Sequence, residues 1–168
     1  MSTSYSYLIL KPKKERAVIN RHPWIFSGAV AQLPKADDGD IVGVKDASGK
    51  LLAYGFFNSN SQIVCRLFEF SDQDLSFDQE YWTGKISRAI KLRQSILNNA
   101  NTNCFRLLHA EGDFFPGIIA DVYDKAVVLQ ILIKGTEKIL PFIKEALIIN
   151  GLEHIYLKTK TSSQLIEN

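Results

Sequence analysis

The sequence contains few of the residues that build metal centres, disulfide frameworks or membrane spans. Its 168 residues include two cysteines and three histidines. Cys65 and Cys104 occur in no CxxC or Cys/His spacing and lie in apolar strand-like runs, which predicts reduced core thiols in a cytoplasmic protein and no metal site. No apolar run approaches the roughly 20 residues that cross a bilayer, and no signal-peptide pattern opens the chain, so we expect no membrane partner.

Catalytic and nucleotide-binding motifs are also missing from the sequence. The glycines occur in turns such as residues 39–43, and no GxGxxG or phosphate-binding loop joins a strand to a helix. His22, His109 and His154 are scattered along the chain, so no nucleophile and base are paired by spacing. We therefore expect no catalytic residue and no cofactor bound by this chain itself.

The positive charge is clustered, although the net charge is only +2. Residues 11–24 contain five basic side chains against one acid, with a histidine and a tryptophan beside them. Basic side chains can neutralise phosphates, and flat rings can stack on unpaired bases. The structural alternatives are a solvated edge for the lysines and a core position for the tryptophan. The candidate RNA-binding residues are Lys11, Lys13, Lys14, Arg16, Arg21, His22 and Trp24.

The first part of the chain has a β pattern. Short runs of β-branched and aromatic residues alternate with turns rich in glycine, asparagine and serine. This spacing predicts a small antiparallel barrel or sandwich over residues 1–72. The strands are expected at residues 5–10, 29–33, 40–46, 51–58 and 62–70.

The second part, residues 73–168, predicts an α+β sandwich. Its element order is helix, strand, strand, strand, helix, strand. The second helix is expected to start with Thr136 as N-cap or Pro141 at its first position, and to end at Asn150-Gly151. The expected strands are residues 105–108, 118–120, 126–133 and 154–157. The first helix is residues 77–99, with an apolar arc formed by Trp82, Ile86, Ala89, Ile90, Ile96 and Leu97.

A charged hairpin follows the long helix. A tight turn is expected at residues 111–117, where Gly112 and Gly117 can adopt positive φ. Arg93 lies in the middle of the apolar arc, and an unpaired buried charge costs several kcal/mol. We therefore hypothesise that it reaches a carboxylate of this turn, with snorkelling to solvent as the alternative. The residues of this structural or substrate-contact turn are Arg93, Arg106, Glu111 and Asp113. In a third interpretation, Glu111 and Asp113 alone form an acid–base couple.

Several motifs resemble one bacterial family. They are RHPWIFSGAV at residues 21–30, DASG at 46–49, GFFN at 55–58 and, after Arg106, EGDFFPGIIADVY at 111–123. This order and separation are similar to the N-terminal part of S-adenosylmethionine-dependent methyltransferases that make 5-methylcytosine in large-subunit rRNA. The resemblance implies an RNA-binding PUA domain over about residues 1–72, then a linking helix and a central α+β domain of β-β-α-β-β type.

The chain departs from that family in one large respect. The family's Rossmann-like domain, with its cofactor loop, Asp-Pro-Pro-type motif and catalytic cysteine, has no counterpart in these 168 residues. Neither Cys65 nor Cys104 matches the position of the nucleophile. The resemblance therefore implies a truncated member that recognises RNA and has no activity alone, with S-adenosylmethionine expected only if the missing domain is present.

Two function classes follow from these observations. The first is the RNA-binding and substrate-recognition portion of an rRNA (cytosine-5) methyltransferase-like protein, whose partner is structured or single-stranded ribosomal RNA. The second is a protein-interaction module that forms a homodimer or docks a separately encoded catalytic subunit. RNA binding predicts an affinity that depends on salt and on Lys13 and Arg16, whereas an interaction module predicts a complex insensitive to them.

Overall fold

The structure, a computed structural model, describes residues 5–97 and 102–158 and divides into two compact units. Among these residues, the first unit runs to Leu75 and includes Ile133–Lys138, while the second contains Ser76–Leu132 and the residues from Ile139 onward. The sequence-based boundary at residues 72 and 73 stays a prediction. No helix in the described ranges is both long enough and apolar enough to span a membrane.

The first unit is built on one six-stranded sheet. Its strands lie in the order β2-β6-β5-β4-β1-β3, and the sheet curls into a half-barrel. One cluster of its buried core includes Leu8, Val44, Phe57 and Leu67. The elements are β1 (Tyr7–Leu10), α1 (Arg16–Ile19), β2 (Trp24–Phe26), β3 (Val30–Gln32), β4 (Ile41–Lys45), β5 (Leu51–Phe57) and β6 (Ile63–Glu69).

One pairing in this sheet differs from the predicted antiparallel barrel. β4, β5 and β6 pair antiparallel as predicted, but β1 lies parallel to β4, with Tyr7 opposite Gly43 and Ile9 opposite Lys45. Parallel neighbours need a connection of a dozen or more residues. Here that connection contains α1, β2 and β3 and returns the chain to the starting end of β1.

The second unit contains a four-stranded sheet in the order β10-β9-β8-β7. β7, β8 and β9 are antiparallel, and β10 lies parallel to β9. The predicted element order is confirmed, although three strands precede the second helix, unlike the β-β-α-β-β order that the resemblance implied. The elements are α2 (Gln79–Leu97), β7 (Cys104–His109), β8 (Ile118–Tyr123), β9 (Ala126–Ile131), α3 (Lys134–Ile149) and β10 (His154–Lys158).

The start of α3 differs from both predicted positions. The helix begins at Lys134, so Thr136 is in its first turn and Pro141 is inside it. The buried Thr136 hydroxyl donates to the Ile133 carbonyl at 2.8 Å, so its hydrogen bond goes to the residue just before the helix. The predicted end is confirmed, because the helix stops before Asn150 and Gly151 has a φ of +86°.

Two positions were predicted in the core and are exposed instead. Ile96 of α2 lies in the last turn of its helix and faces solvent. Cys104 is also exposed, at the first position of the edge strand β7, whereas Cys65 is fully buried as predicted. Periodicity identifies the apolar side of an element but does not show where its neighbours end.

The hairpin turn is longer than the tight turn expected from the sequence. A 3-10 turn at Ala110–Asp113 follows β7, and Ile118 begins β8. Positive φ occurs at Ala110, Phe114 and Gly117 but not at Gly112. The Asp113 carboxylate accepts the His109 N–H at 2.7 Å, so it joins the turn to the last residue of β7.

Candidate nucleic-acid interface

The predicted RNA-binding residues all lie in the first unit, on two consecutive turns and the strand that follows. The Lys14 N–H donates to the Lys11 carbonyl at 3.1 Å, and Lys13 between them has a left-handed φ of 65°. Lys11 is held by two hydrogen bonds. Its backbone N–H donates to the Ala29 carbonyl at 2.9 Å, and its ammonium donates to the Gly28 carbonyl at 3.0 Å. The three lysines are exposed at this turn.

The helix α1 connects the lysine turn to the second turn. Val18 is its one buried residue, and Arg16 and Arg21 are exposed. The Arg21 N–H donates to the Val18 carbonyl at 2.9 Å, and Arg21 has a left-handed φ of 58°. Within the described ranges, no acid forms a salt bridge with Lys13, Lys14 or Arg16. These cations are therefore available to an external anion.

The strand β2 follows the second turn and presents aromatic rings. Ile25 points into the core, so Trp24 and Phe26 share the opposite side of the strand. The Trp24 ring centroid lies 6.1 Å from His22 and 6.3 Å from Phe26, with both pairs edge to face. Trp24 is half-buried and is not the core plug considered as an alternative.

Two contacts hold this aromatic group in place. The His22 Nδ1 atom lies 3.2 Å from the Trp24 amide nitrogen and 3.1 Å from the Trp24 carbonyl oxygen, so either tautomer of the ring has a partner. The guanidinium of Arg66, directly opposite Trp24 on β6, lies 5.8 Å from the Trp24 ring. Sequence analysis missed Arg66 and Phe26 as neighbours of the site; only the alternation along β2 could have indicated Phe26.

An open groove of about 290 Å³ lies against the end of α1. Its walls are apolar at Ile19 and Phe70 and cationic at Arg21 and Lys50, with Asp72 at the same groove. The Arg21 guanidinium lies 5.8 Å from the Phe70 ring centroid. Arg21 thus connects the second turn to a groove with both flat and charged walls, and sequence analysis missed this groove entirely.

The second predicted set lies in the other unit and divides into two separate ion pairs. The hypothesis for Arg93 is confirmed: its Nη2 donates to Asp113 Oδ2 at 2.5 Å, and its Nε donates to the Arg106 carbonyl at 2.9 Å. Both side chains are mostly buried, with 18% and 13% exposed. Glu111 occupies the 3-10 turn, where its carbonyl accepts the Phe114 N–H.

Arg106 points away from this pair. Its Nε and Nη2 atoms donate to the two carboxylate oxygens of Asp121 at 2.8 and 3.1 Å, across β7 and β8. The Asp121 carboxylate raises the pKa of Arg106 above its ordinary value. The part of the chain that the structure describes contains no group of three His, Cys, Asp or Glu side chains that could hold a metal ion. Arg93 and Asp113 therefore tie the long helix to the turn, and the Asp113 carboxylate binds both the Arg93 guanidinium and the His109 N–H.

Comparison with known proteins gives a domain family for the first unit and relatives for most of the chain. Residues 8–70 match the PUA-like domain family. The chain is 36% identical over 150 residues to ribosomal RNA large subunit methyltransferase I of Escherichia coli (strain SMS-3-5), covering 89% of this chain and 36% of that protein. The same-named protein of Pseudoalteromonas translucida is 32% identical over 134 residues, covering 79% of this chain and 34% of the relative.

Solved structures show the same fold. A proposed SAM-dependent methyltransferase from Streptococcus mutans superposes with a TM-score of 0.75 at 18% identity, covering 90% of this chain and 40% of that one. The SMU.776 protein, complexed with SAH, matches with the same score and coverage. The chain thus spans little more than a third of its curated relatives. It contains a PUA-like domain at residues 8–70 and is homologous to part of the ribosomal RNA large subunit methyltransferases I.

Proposed function

We propose that this chain is the RNA-recognition portion of an rRNA (cytosine-5) methyltransferase-like protein, and that the first unit binds ribosomal RNA. The observation that carries the proposal is the surface of residues 13–24, where the exposed cations Lys13, Lys14 and Arg16 precede the neighbouring rings of His22 and Trp24 along the chain. It combines cations that pair with no described acid and aromatic rings on an edge strand. Phosphates pair with such cations, and unpaired bases stack on such rings.

In this proposal, methyl transfer belongs to the part of the relatives that this chain does not cover. These relatives are named as rRNA large subunit methyltransferases, and the chain spans 36% of the first of them. In this proposal S-adenosylmethionine and the group that attacks cytosine belong to the remaining length, and the present chain contributes recognition. We name the cytosine C5 atom as the methylated position because the motifs at residues 21–30 and 111–123 resemble those of the 5-methylcytosine family.

The proposal is tested by fluorescence anisotropy of the 168-residue chain with a labelled, structured fragment of large-subunit rRNA over a salt series. We expect log affinity to fall linearly with log salt, because bound phosphates release counterions. A Lys13→Ala/Arg16→Ala double variant is expected to reduce the magnitude of that slope by about 1.4 to 1.8, because each lost phosphate contact removes about 0.7 in single strands and about 0.9 in duplex. Duplex DNA is expected to bind more weakly.

The matched control is Lys91→Ala/Lys144→Ala, which removes the same charge from the helices of the second unit. An equal loss of affinity in both double variants would mean that net charge, and not this surface, drives binding. Absence of binding at low salt would contradict the proposal. A stable dimer unaffected by Lys13 and Arg16 would favour the interaction module instead.

A further inference from the structure

One face of the second unit's sheet is open to solvent. Along β8 and β9 the side chains alternate, with Ala120, Val122, Val127 and Leu129 buried on one face and their neighbours partly or fully exposed on the other. The exposed face, called the outer face below, is crossed by a row of directly opposite residues on all four strands. From β7 to β10 this row is Arg106, Asp121, Val128 and Tyr156.

The outer face carries two exposed tyrosines. Tyr156 is 61% exposed and Tyr123 is 52% exposed. Tyr123 lies in the neighbouring row, opposite Ala126 of β9, which is in turn opposite His154 of β10. The strand between the two tyrosines therefore contributes only the small side chains of Ala126 and Val128, which leaves both phenol rings accessible.

The charges of the outer face suit a polyanion. A third row runs from His109 through Ile119 and Gln130 to Lys158. Asp121 is the one carboxylate in the three rows, and its two-point pairing with Arg106 neutralises it. The third row ends in the exposed Lys158, opposite Gln130. No described acid on this face remains without a cation, so an approaching phosphate meets a neutral to positive surface.

We propose that the outer face is a stacking platform for single-stranded RNA, separate from the surface of the first unit. The proposal rests on the proposed function, because that function names RNA as the substrate class. Tyr123 and Tyr156 are two strands apart, about 9.6 Å across the sheet and about 6.6 Å along it by standard strand spacings. Four-stranded sheets with exposed aromatic residues stack two or three bases in this way.

The occupant is argued from aromatic and charge content together. A protein partner would cover this much exposed ring surface mainly with apolar contacts, whereas β10 also carries Lys158 and His154, each two residues from Tyr156. Bases stack on tyrosine irrespective of sequence, and a phosphate beside the Tyr156 ring pairs with Lys158. The outer face therefore fits unpaired nucleotides better than it fits a helix or a second sheet.

The test is anisotropy and photo-crosslinking of the full chain with a labelled single-stranded oligoribonucleotide that contains 4-thiouridine. Tyr123→Ala and Tyr156→Ala are each expected to weaken binding about 5-fold or more, as loss of a stacking ring does. Tyr156→Phe keeps the ring and is expected to bind as the unmodified chain does. Crosslinked peptides are expected from β8 and β10. Ile148→Ala, which removes an exposed apolar side chain from α3, is the control and should change nothing.

The two proposals fail separately. If Lys13→Ala/Arg16→Ala weakens binding while both tyrosine variants bind normally and no crosslink forms on β8 or β10, the stacking platform is wrong and the first-unit surface stands. If the tyrosine effects and crosslinks persist while the lysine and arginine changes have no effect, the platform stands alone. A concentration-dependent dimer that Tyr156→Ala dissociates would also overturn the platform, because the outer face would then bind a second copy.

Discussion

Arg93 illustrates how a single charge can determine a contact. A guanidinium in the middle of an apolar helix face must find a partner, and in the structure it binds both Asp113 and the Arg106 carbonyl. The same Asp113 oxygen accepts the His109 N–H. One carboxylate therefore ties the long helix to the hairpin turn and also closes that turn.

Arg93→Met should destabilise the second unit by about 2 kcal/mol, because Asp113 would lose its cation in a mostly buried place. Urea unfolding monitored by circular dichroism measures this change. Lys125→Met is the control, since its ion pair with Glu153 is 63% and 55% exposed and such pairs contribute about 0–1 kcal/mol. Equal losses in the two variants would show that Arg93 does no more than an ordinary surface charge.

Asp38 provides a prediction for acid stability. Hydrogen bonds from Ser59, above all from its backbone N–H at 2.6 Å, and from Asn60 hold the pKa of Asp38 below its ordinary value of 3.8. A lowered pKa stabilises the fold above the unfolded pKa of 3.8, and this stability is lost as pH falls through the folded pKa. Asp38→Asn should therefore be less stable than the unmodified chain at pH 7, and the difference should narrow below about pH 4.

Urea titrations at pH 7 and pH 3 measure that difference. A gap between Asp38→Asn and the unmodified chain that widens in acid would contradict the assignment of the lowered pKa to this residue.

Residue-level prediction from sequence worked where one physical cost dominates. The unpaired charge of Arg93 could be placed because burying it alone is too costly. Trp24 and Cys104 could not be placed, since whether an apolar residue faces the core or solvent depends on which strand lies at the edge. β2 and β7 are both edge strands, and the sequence does not show this.

At the level of elements, two helical glycines have opposite roles. A β-carbon at Gly135 in α3 would lie 2.6 Å from the Phe56 β-carbon, closer than real contacts allow. At Gly84 in α2 the nearest neighbour is the end of the Arg88 side chain at 3.5 Å. Close packing on β5 thus requires glycine at the start of α3, whereas α2 has no such need.

Gly84→Ala should stabilise the second unit by up to about 1 kcal/mol, because alanine is the better helix former. Gly135→Ala should destabilise the first unit by about 1 to 3 kcal/mol, since overpacking against Phe56 exceeds that gain. Thermal and urea unfolding of the two variants measure both effects. If both substitutions stabilise, the contact between Gly135 and Phe56 is looser than the structure shows.

Elements were predictable from periodicity and turn residues, but their ends and partners were not. The strands from β4 to β6 and the stop at Asn150-Gly151 follow from alternation and glycine chemistry. The predicted start of α3 was wrong for two reasons. The Thr136 hydroxyl donates to the carbonyl of Ile133, just before the helix, and Pro141 is tolerated inside the helix. The parallel β1–β4 pair requires knowledge of the path between the strands, which local patterns do not contain.

At the level of the whole molecule, the chain presents two candidate RNA surfaces on separate units. The first was visible in the sequence as a cluster of basic residues beside an aromatic strand. The second was not, because Tyr123, Tyr156 and Arg106 come together only through the pairing of β7, β8, β9 and β10. Long-range strand order, unlike local charge, leaves no short signature in the sequence.

The central claim, that the first unit recognises RNA, is tested most directly by chemical-shift mapping on the ¹⁵N-labelled chain, whose 18.9 kDa suits solution NMR. The rRNA fragment is titrated in and backbone amide shifts are followed. Our account predicts the largest changes at residues 11–26, with a second set on β8 and β10 for single-stranded RNA. Titration shifts that are absent, or that avoid residues 11–26 while RNA binds, would contradict it.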